Sequence, residues 1–119
     1  MNNKHVEDVV SFNRSDVEPV IDTVNHPNVL SGEYISKTWV YFSDESSGYC
    51  AGVWEAGSCR EAFVSEHVEY CHVLEGIVRL TDSNGNSEDY FPKESFVIPA
   101  GFEGVWENIG TVRKYFVIS

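Results

Sequence analysis

The chain has 119 residues and a mass of 13.4 kDa, about one domain's worth, with 42% hydrophobic and 13% aromatic residues, so a chain dominated by disorder is excluded. Eight basic against nineteen acidic residues give a formal net charge of -11. The few Lys and Arg are scattered, which argues against a nucleic-acid or anionic-membrane surface. No apolar run approaches the ~20 residues that span a bilayer.

Acidic residues at Glu7 and Asp8 precede any apolar stretch, so no secretory signal is expected at the start. Three cysteines, Cys50, Cys59 and Cys71, form no CxxC pattern and no even set. That favours a reducing, cytoplasmic setting over a disulfide scaffold. Residues 1–33 read as an irregular arm. Pro19, Pro27 and the turn-formers Asn13, Asp16, Asn25 and Asn28 interrupt each apolar run, leaving short strands or turns at 6–12 and 17–21.

From residue 34 to 119 the texture is all-β, with little helix expected. Runs rich in β-branched and aromatic residues fall at 35–42, 49–55, 61–65, 68–74, 77–81, 88–91, 95–98, 104–108 and 112–118. Turn signals separate them, among them Glu75-Gly76, Asn84-Gly85, Pro99-Ala100-Gly101 and Ile109-Gly110. Asn84-Gly85 is the strongest, because a tight hairpin needs residues that tolerate positive φ. The pattern is that of a small antiparallel barrel or jelly roll.

Four blocks then carry a family resemblance. Gly52-Val-Trp-Glu-Ala-Gly57, Glu69-Tyr-Cys-His-Val-Leu-Glu-Gly76, Phe96 through Trp106, and Val112 through Ile118 resemble a small single-domain cupin. The similarity is to the group of (S)-ureidoglycine aminohydrolase and the ethanolamine-utilisation cupin. It implies a jelly-roll β-barrel (a double-stranded β-helix, RmlC-like) with a pocket between two sheets. It also implies a homodimer, in which the N-terminal arm could be exchanged to cover an open sheet edge.

The resemblance also implies two metal motifs, and this chain departs from both. Glu69 and Gly76 keep the Glu-x6-Gly half of the first, but Ala62-Phe63-Val64-Ser65 stands where its two histidines belong. In the second, Pro99, Gly101 and Asn108 match, Gly104 replaces the histidine, and Lys93 or Glu94 replaces the opening glycine. No cofactor is therefore expected. A divalent metal (Mn, Fe, Ni or Zn) would need an atypical site built on His67 and Glu69, two ligands where a full set is required.

Strand alternation supplies the candidate site. If Glu69 points inward, so do His67, Cys71 and Val73, while Tyr70, His72 and Leu74 point out. An inward carboxylate must be paired, hydrogen-bonded or protonated. Glu69 is thus either the pocket's polar anchor and candidate catalytic acid or base, or a structural ion pair. Trp54, Phe102 and Trp106 are candidate pocket walls, and Phe96 is core filling. Lys114, if inward, could pair with Glu69 or anchor a ligand carboxylate; otherwise it is solvated. Cys71 is a small buried hydrophobe at the pocket's edge.

Three functions compete. One is binding of a small polar metabolite in the barrel, with a metal-independent, aminohydrolase-like enzyme using Glu69 as its active form. The second is a non-enzymatic metabolite-binding or accessory dimeric scaffold. The third is a metalloenzyme with a His67/Glu69 site.

Overall fold

Strands dominate the computed structural model, which describes residues 3–119. In chain order they are β1 (Val20–Val24), β2 (Tyr34–Asp44), β3 (Tyr49–Ala56), β4 (Cys59–Val64), β5 (Glu69–Asp82), β6 (Ser87–Tyr90), β7 (Ser95–Ile98) and β8 (Glu103–Ile118). Of the short strands or turns expected at 6–12 and 17–21, the first contains a single 3-10 turn, Val6–Asp8. The Asp8 carboxylate accepts a hydrogen bond from the His5 backbone N–H at 2.8 Å and closes that turn locally. The arm is docked: Phe12 stacks on Tyr41, ring centroids 4.6 Å apart, and β1 pairs in register with β2 of its own chain. No helix among the described residues is long and apolar enough to cross a membrane.

Glu75-Gly76 and Ile109-Gly110 do not end strands. Strands β5 and β8 run through them as one antiparallel ribbon, from Glu69 opposite Ile118 to Asp82 opposite Gly104. Gly76 and Gly110 take φ of 81° and 76°, and the register slips on either side of Glu75. The ribbon therefore bends and passes from one layer to the other, as bulged strands do at sheet corners. Gly76 is required there, because a Cβ would lie 2.1 Å from the Thr111 carbonyl oxygen.

The bend sorts the other strands. The near half of the ribbon, residues 69–73 and 112–118, pairs with β3 and then β2 on one side and with β7 on the other. The far half, 77–82 and 103–109, pairs with β4 and β6. Between the layers lies an apolar core of Cys71, Val73, Val78, Phe96, Ile98 and Val112. Such burial is the main stabilising contribution, about 25 cal/mol per Å² of apolar surface removed from water. The hairpin at Asn84-Gly85 forms as expected, with Gly85 at φ 85° and the Asp82 carboxylate accepting from the Asn84 and Asn86 N–H groups.

Candidate functional site

Cross-strand register builds the site from the near layer. Thr38, Trp54, Lys114 and Val73 are successive partners across β2, β3, β8 and β5. Alternation then brings Glu69 and Cys71 to the same inner face. The Lys114 ammonium donates to Glu69 Oε2 at 2.7 Å, and the Cys71 thiol donates to the same oxygen at 3.1 Å. The ammonium also lies 4.1 Å from the Trp106 ring centroid and 5.1 Å from that of Trp54. The two indoles stand nearly perpendicular, at 83°, so the cation is held between two π faces and one carboxylate.

Trp106 comes from the far half of β8, and Asn108 orients it. The indole N–H donates to Asn108 Oδ1 at 2.7 Å, while Asn108 Nδ2 donates to the Ala56 and Gly57 carbonyls. Asn108 is buried and fully used, so the ring has little freedom.

Burial opposes the charge on Glu69, but Lys114 and the hydrogen bonds from Lys114 and Cys71 outweigh it and hold the carboxyl below its ordinary range. Burial likewise opposes the charge on Lys114, and the neighbouring Cys71 and Glu69 reverse the balance and raise it. Burial pushes the Cys71 thiol up to about 12, so it is neutral at physiological pH and Glu69 is the charge that retains the lysine proton.

Above this pair lies a cavity of about 200 Å³, whose further walls are Tyr34, Glu61 and Phe63. The Tyr34 hydroxyl donates to Glu61 Oε1, and His26 Nε2 lies 3.2 Å from Glu61 Oε2. Burial and this carboxylate both push the Tyr34 phenol upward, so it stays a neutral donor. A second cavity, about 360 Å³, lies beyond Trp54, Glu69 and Lys114, under Val40, Cys50 and Phe116. A larger hollow of about 440 Å³ separates the arm from the β2–β3 hairpin. Its carboxylates, Asp8 and Asp44, already accept from backbone N–H groups of their own turns, and no charged pair converges there among the described residues.

Of the sequence candidates, Trp54, Glu69, Trp106 and Lys114 meet at one point, with Cys71 fully buried beneath them. Phe102 does not join them. It packs on Phe63 at 5.6 Å and lines a separate hollow with Leu80, Tyr90 and Pro99. Lys114 is not a solvated edge residue; only 7% of it is exposed. Phe96 lies in the core, stacked on Tyr90. His72 faces the opposite side and contacts Ser95 Oγ through Nδ1 at 2.7 Å. Tyr34, Glu61 and Phe63 were missed by sequence reasoning, because nothing local says which residues of β2 and β4 border the pocket.

His67 departs from its expected inward position. Strand β5 begins only at Glu69, so His67 sits in an exposed bend where strand alternation does not apply. The donor set does not fit a divalent metal. Glu69 is engaged by an ammonium, and no three His, Cys, Asp or Glu side chains converge among the described residues. At Gly104 a Cβ would lie 2.0 Å from the Thr81 carbonyl oxygen, so the backbone has closed over the place where the resembled motif carries a histidine.

Comparison with known proteins accords with this architecture. A family model described as EutQ-like cupin domain matches residues 44–116. A Pseudomonas syringae protein of the DUF861 family superposes with a TM-score of 0.78 at 20% identity, over 89% of this chain and 45% of its own. The EutQ protein of Clostridium difficile gives 0.64 at 19% identity, over 71% of this chain and 62% of its own. The polyketide cyclase RemF of Streptomyces resistomycificus gives 0.63 at 21%, over 99% of this chain and 78% of its own. The chain thus spans less than two thirds of the first two neighbours, and at these identities the likeness concerns the fold. No curated protein matches the sequence.

Proposed function

The chain belongs to the EutQ-like cupin family, and on that footing we propose that it binds a small polar metabolite in the barrel pocket around Glu69, without a metal. One observation carries the reading. Both protein donors that reach the Glu69 carboxylate go to Oε2, and Oε1 accepts from none of the described residues. The side chain keeps 22% exposure, toward the cavity walled by Trp54, Trp106 and Tyr34. A few convergent polar groups within aromatic walls are the ordinary make-up of a small-molecule site. The ligand supplies a hydrogen-bond donor to Oε1 and apolar surface to the indoles.

The same chemistry favours binding over turnover. Glu69 is held ionised, with no proton to give at neutral pH and, its carboxyl lying below the ordinary range, weakened as a base; Lys114 is held protonated, and Cys71 is a buried neutral thiol. A second copy of the chain is proposed to cover the β1–β2 end of the sheet, where Ile21 of β1 and Ile35 of β2 are more than half exposed. Sedimentation at micromolar concentration tests that contact.

A thermal-shift screen of a small-metabolite library, followed by titration calorimetry on the hits, tests the function. The expected result is a ligand whose affinity falls by ~1.5–3 kcal/mol in the folded Glu69→Gln protein, the value of one charge-assisted hydrogen bond. A hit whose affinity is unchanged in that variant would refute the role of Glu69.

A further inference from the structure

Resting on that reading, we propose that the bound metabolite is amphiphilic, with a primary amine on Glu69 and an apolar tail in the second, 360 Å³ chamber beyond the ion pair. The chamber is lined by Thr38, Val40, Cys50, Phe116 and Ile118, and it shares Trp54, Glu69 and Lys114 with the smaller cavity. Glu69 thus borders both spaces. Register places the two groups side by side, since Ile118 pairs with Glu69 on one edge and with Cys50 on the other. A head group on the carboxylate therefore has the apolar wall immediately next to it.

The backbone keeps the chamber open. Gly52 is the cross-strand partner of both Val40 and Phe116, and it contributes no side chain between them. No residue with a Cβ fits there, because that atom would lie 1.9 Å from the Trp39 carbonyl oxygen. Val40 is left 37% exposed above Phe116, which is 5% exposed. Apart from Thr38 the wall adds no polar side chain to the shared ion pair, so water inside finds few partners and an alkyl group displaces it favourably.

Charge selects the head. Among the described residues the two cavities are lined by the carboxylates of Glu61 and Glu69 and by the ammonium of Lys114, one negative charge in excess. An incoming ammonium meets the open carboxylate oxygen of Glu69 and one like charge, the paired Lys114; an incoming carboxylate meets two like charges and a lysine already paired.

The experiment titrates the intact chain with ethylamine, n-butylamine, n-hexylamine and n-octylamine, and with n-hexanoate, following tryptophan fluorescence. A parallel measurement follows iodoacetamide labelling of Cys50 by mass spectrometry. Affinity is expected to rise about two- to fourfold per methylene until the chamber is full, the gain for a partly to fully buried CH2. Hexylamine is expected to slow Cys50 labelling where ethylamine does not, and hexanoate is expected not to bind. Val40→Trp, which fills the chamber, is expected to abolish the chain-length gain. Cys50 protection in the unaltered chain decides the matter if that variant does not fold. Equal affinity for all amines, or a chain-length gain that survives Val40→Trp, overturns the tail chamber while leaving Glu69 as the polar anchor. Hexanoate binding as well as hexylamine overturns the amine head. No response to any amine overturns this inference, while a metabolite hit dependent on Glu69 would still sustain the pocket.

Discussion

The two ends of the β5–β8 ribbon each carry an ion pair, and the pairs differ in what surrounds them. At the near end Lys114 and Glu69 are 8% and 22% exposed and meet at 2.7 Å between two indoles. At the far end Arg79 and Asp89 meet at the same 2.7 Å, with a second hydrogen bond at 3.0 Å, but are 41% and 30% exposed. Geometry alone would rank the far pair higher. Solvent decides otherwise: water and salt screen the far charges, whereas removing one member of the near pair leaves a charge with much less water to turn to. The near end has kept an opening toward its charge, and the far end has closed at Gly104.

The sharpest way to break this contrast is Lys114→Met, which leaves Glu69 buried beside Trp106. The expected loss is roughly 3–5 kcal/mol in urea denaturation. Glu69→Gln strands the lysine and should also destabilise the fold. The double variant Glu69→Gln/Lys114→Met should recover most of the loss, because a neutral pair leaves no unpaired charge. Failure of the double variant to recover would mean that packing against the indoles, and not charge, holds the pair.

A second variant probes the closed end. Gly104→His should cost ~1–3 kcal/mol by overpacking against Thr81 and Phe102, and metal analysis should find no manganese, iron, nickel or zinc gained. Stoichiometric metal in the unmodified protein, purified without a histidine tag, would sink the metal-free reading itself.

The pH dependence sharpens the contrast further. Glu69 has a folded value below its ordinary 4.5, so its contribution is complete above that value and is lost as pH falls through the lowered one. Lys114 has a folded value above its ordinary 10.5, so its contribution is complete below 10.5 and is lost as pH rises through the raised one. Between those limits the pair should give no slope. A stability change centred near neutrality and abolished by Glu69→Gln would contradict the assignment.

Two smaller effects complete the series. Lys93, one of the two residues at the place of the resembled motif's opening glycine, adopts φ 77°, so Lys93→Gly should raise stability by ~0.5–1 kcal/mol through relief of left-handed strain. Arg79→Ala should leave the urea midpoint nearly unchanged, because both members of that pair lie in solvent. A midpoint drop as large as that of Lys114→Met would erase the difference between the two ends.

Much of this molecule was legible in the chain itself. Alternation put Glu69, Cys71 and Val73 on one face, and Asn84-Gly85 marked its hairpin, because both signals depend only on local backbone geometry. Gly76 and Gly110 read as turns and do take positive φ, but a glycine of that kind serves a reversal and a bulge equally well. Only the partner strand, continuing opposite each of them, made the ribbon bend where the sequence suggested a turn. The same limit applies to the site. That an inward Glu69 needs a partner follows from the cost of a buried charge. That the partner is Lys114, that Trp106 and not Phe102 faces it, and that Tyr34 and Glu61 close the cavity depends on register across β2, β3, β8 and β4. Apart from Trp106 with Lys114, those contacts join residues tens of positions apart, and tertiary pairing sets them.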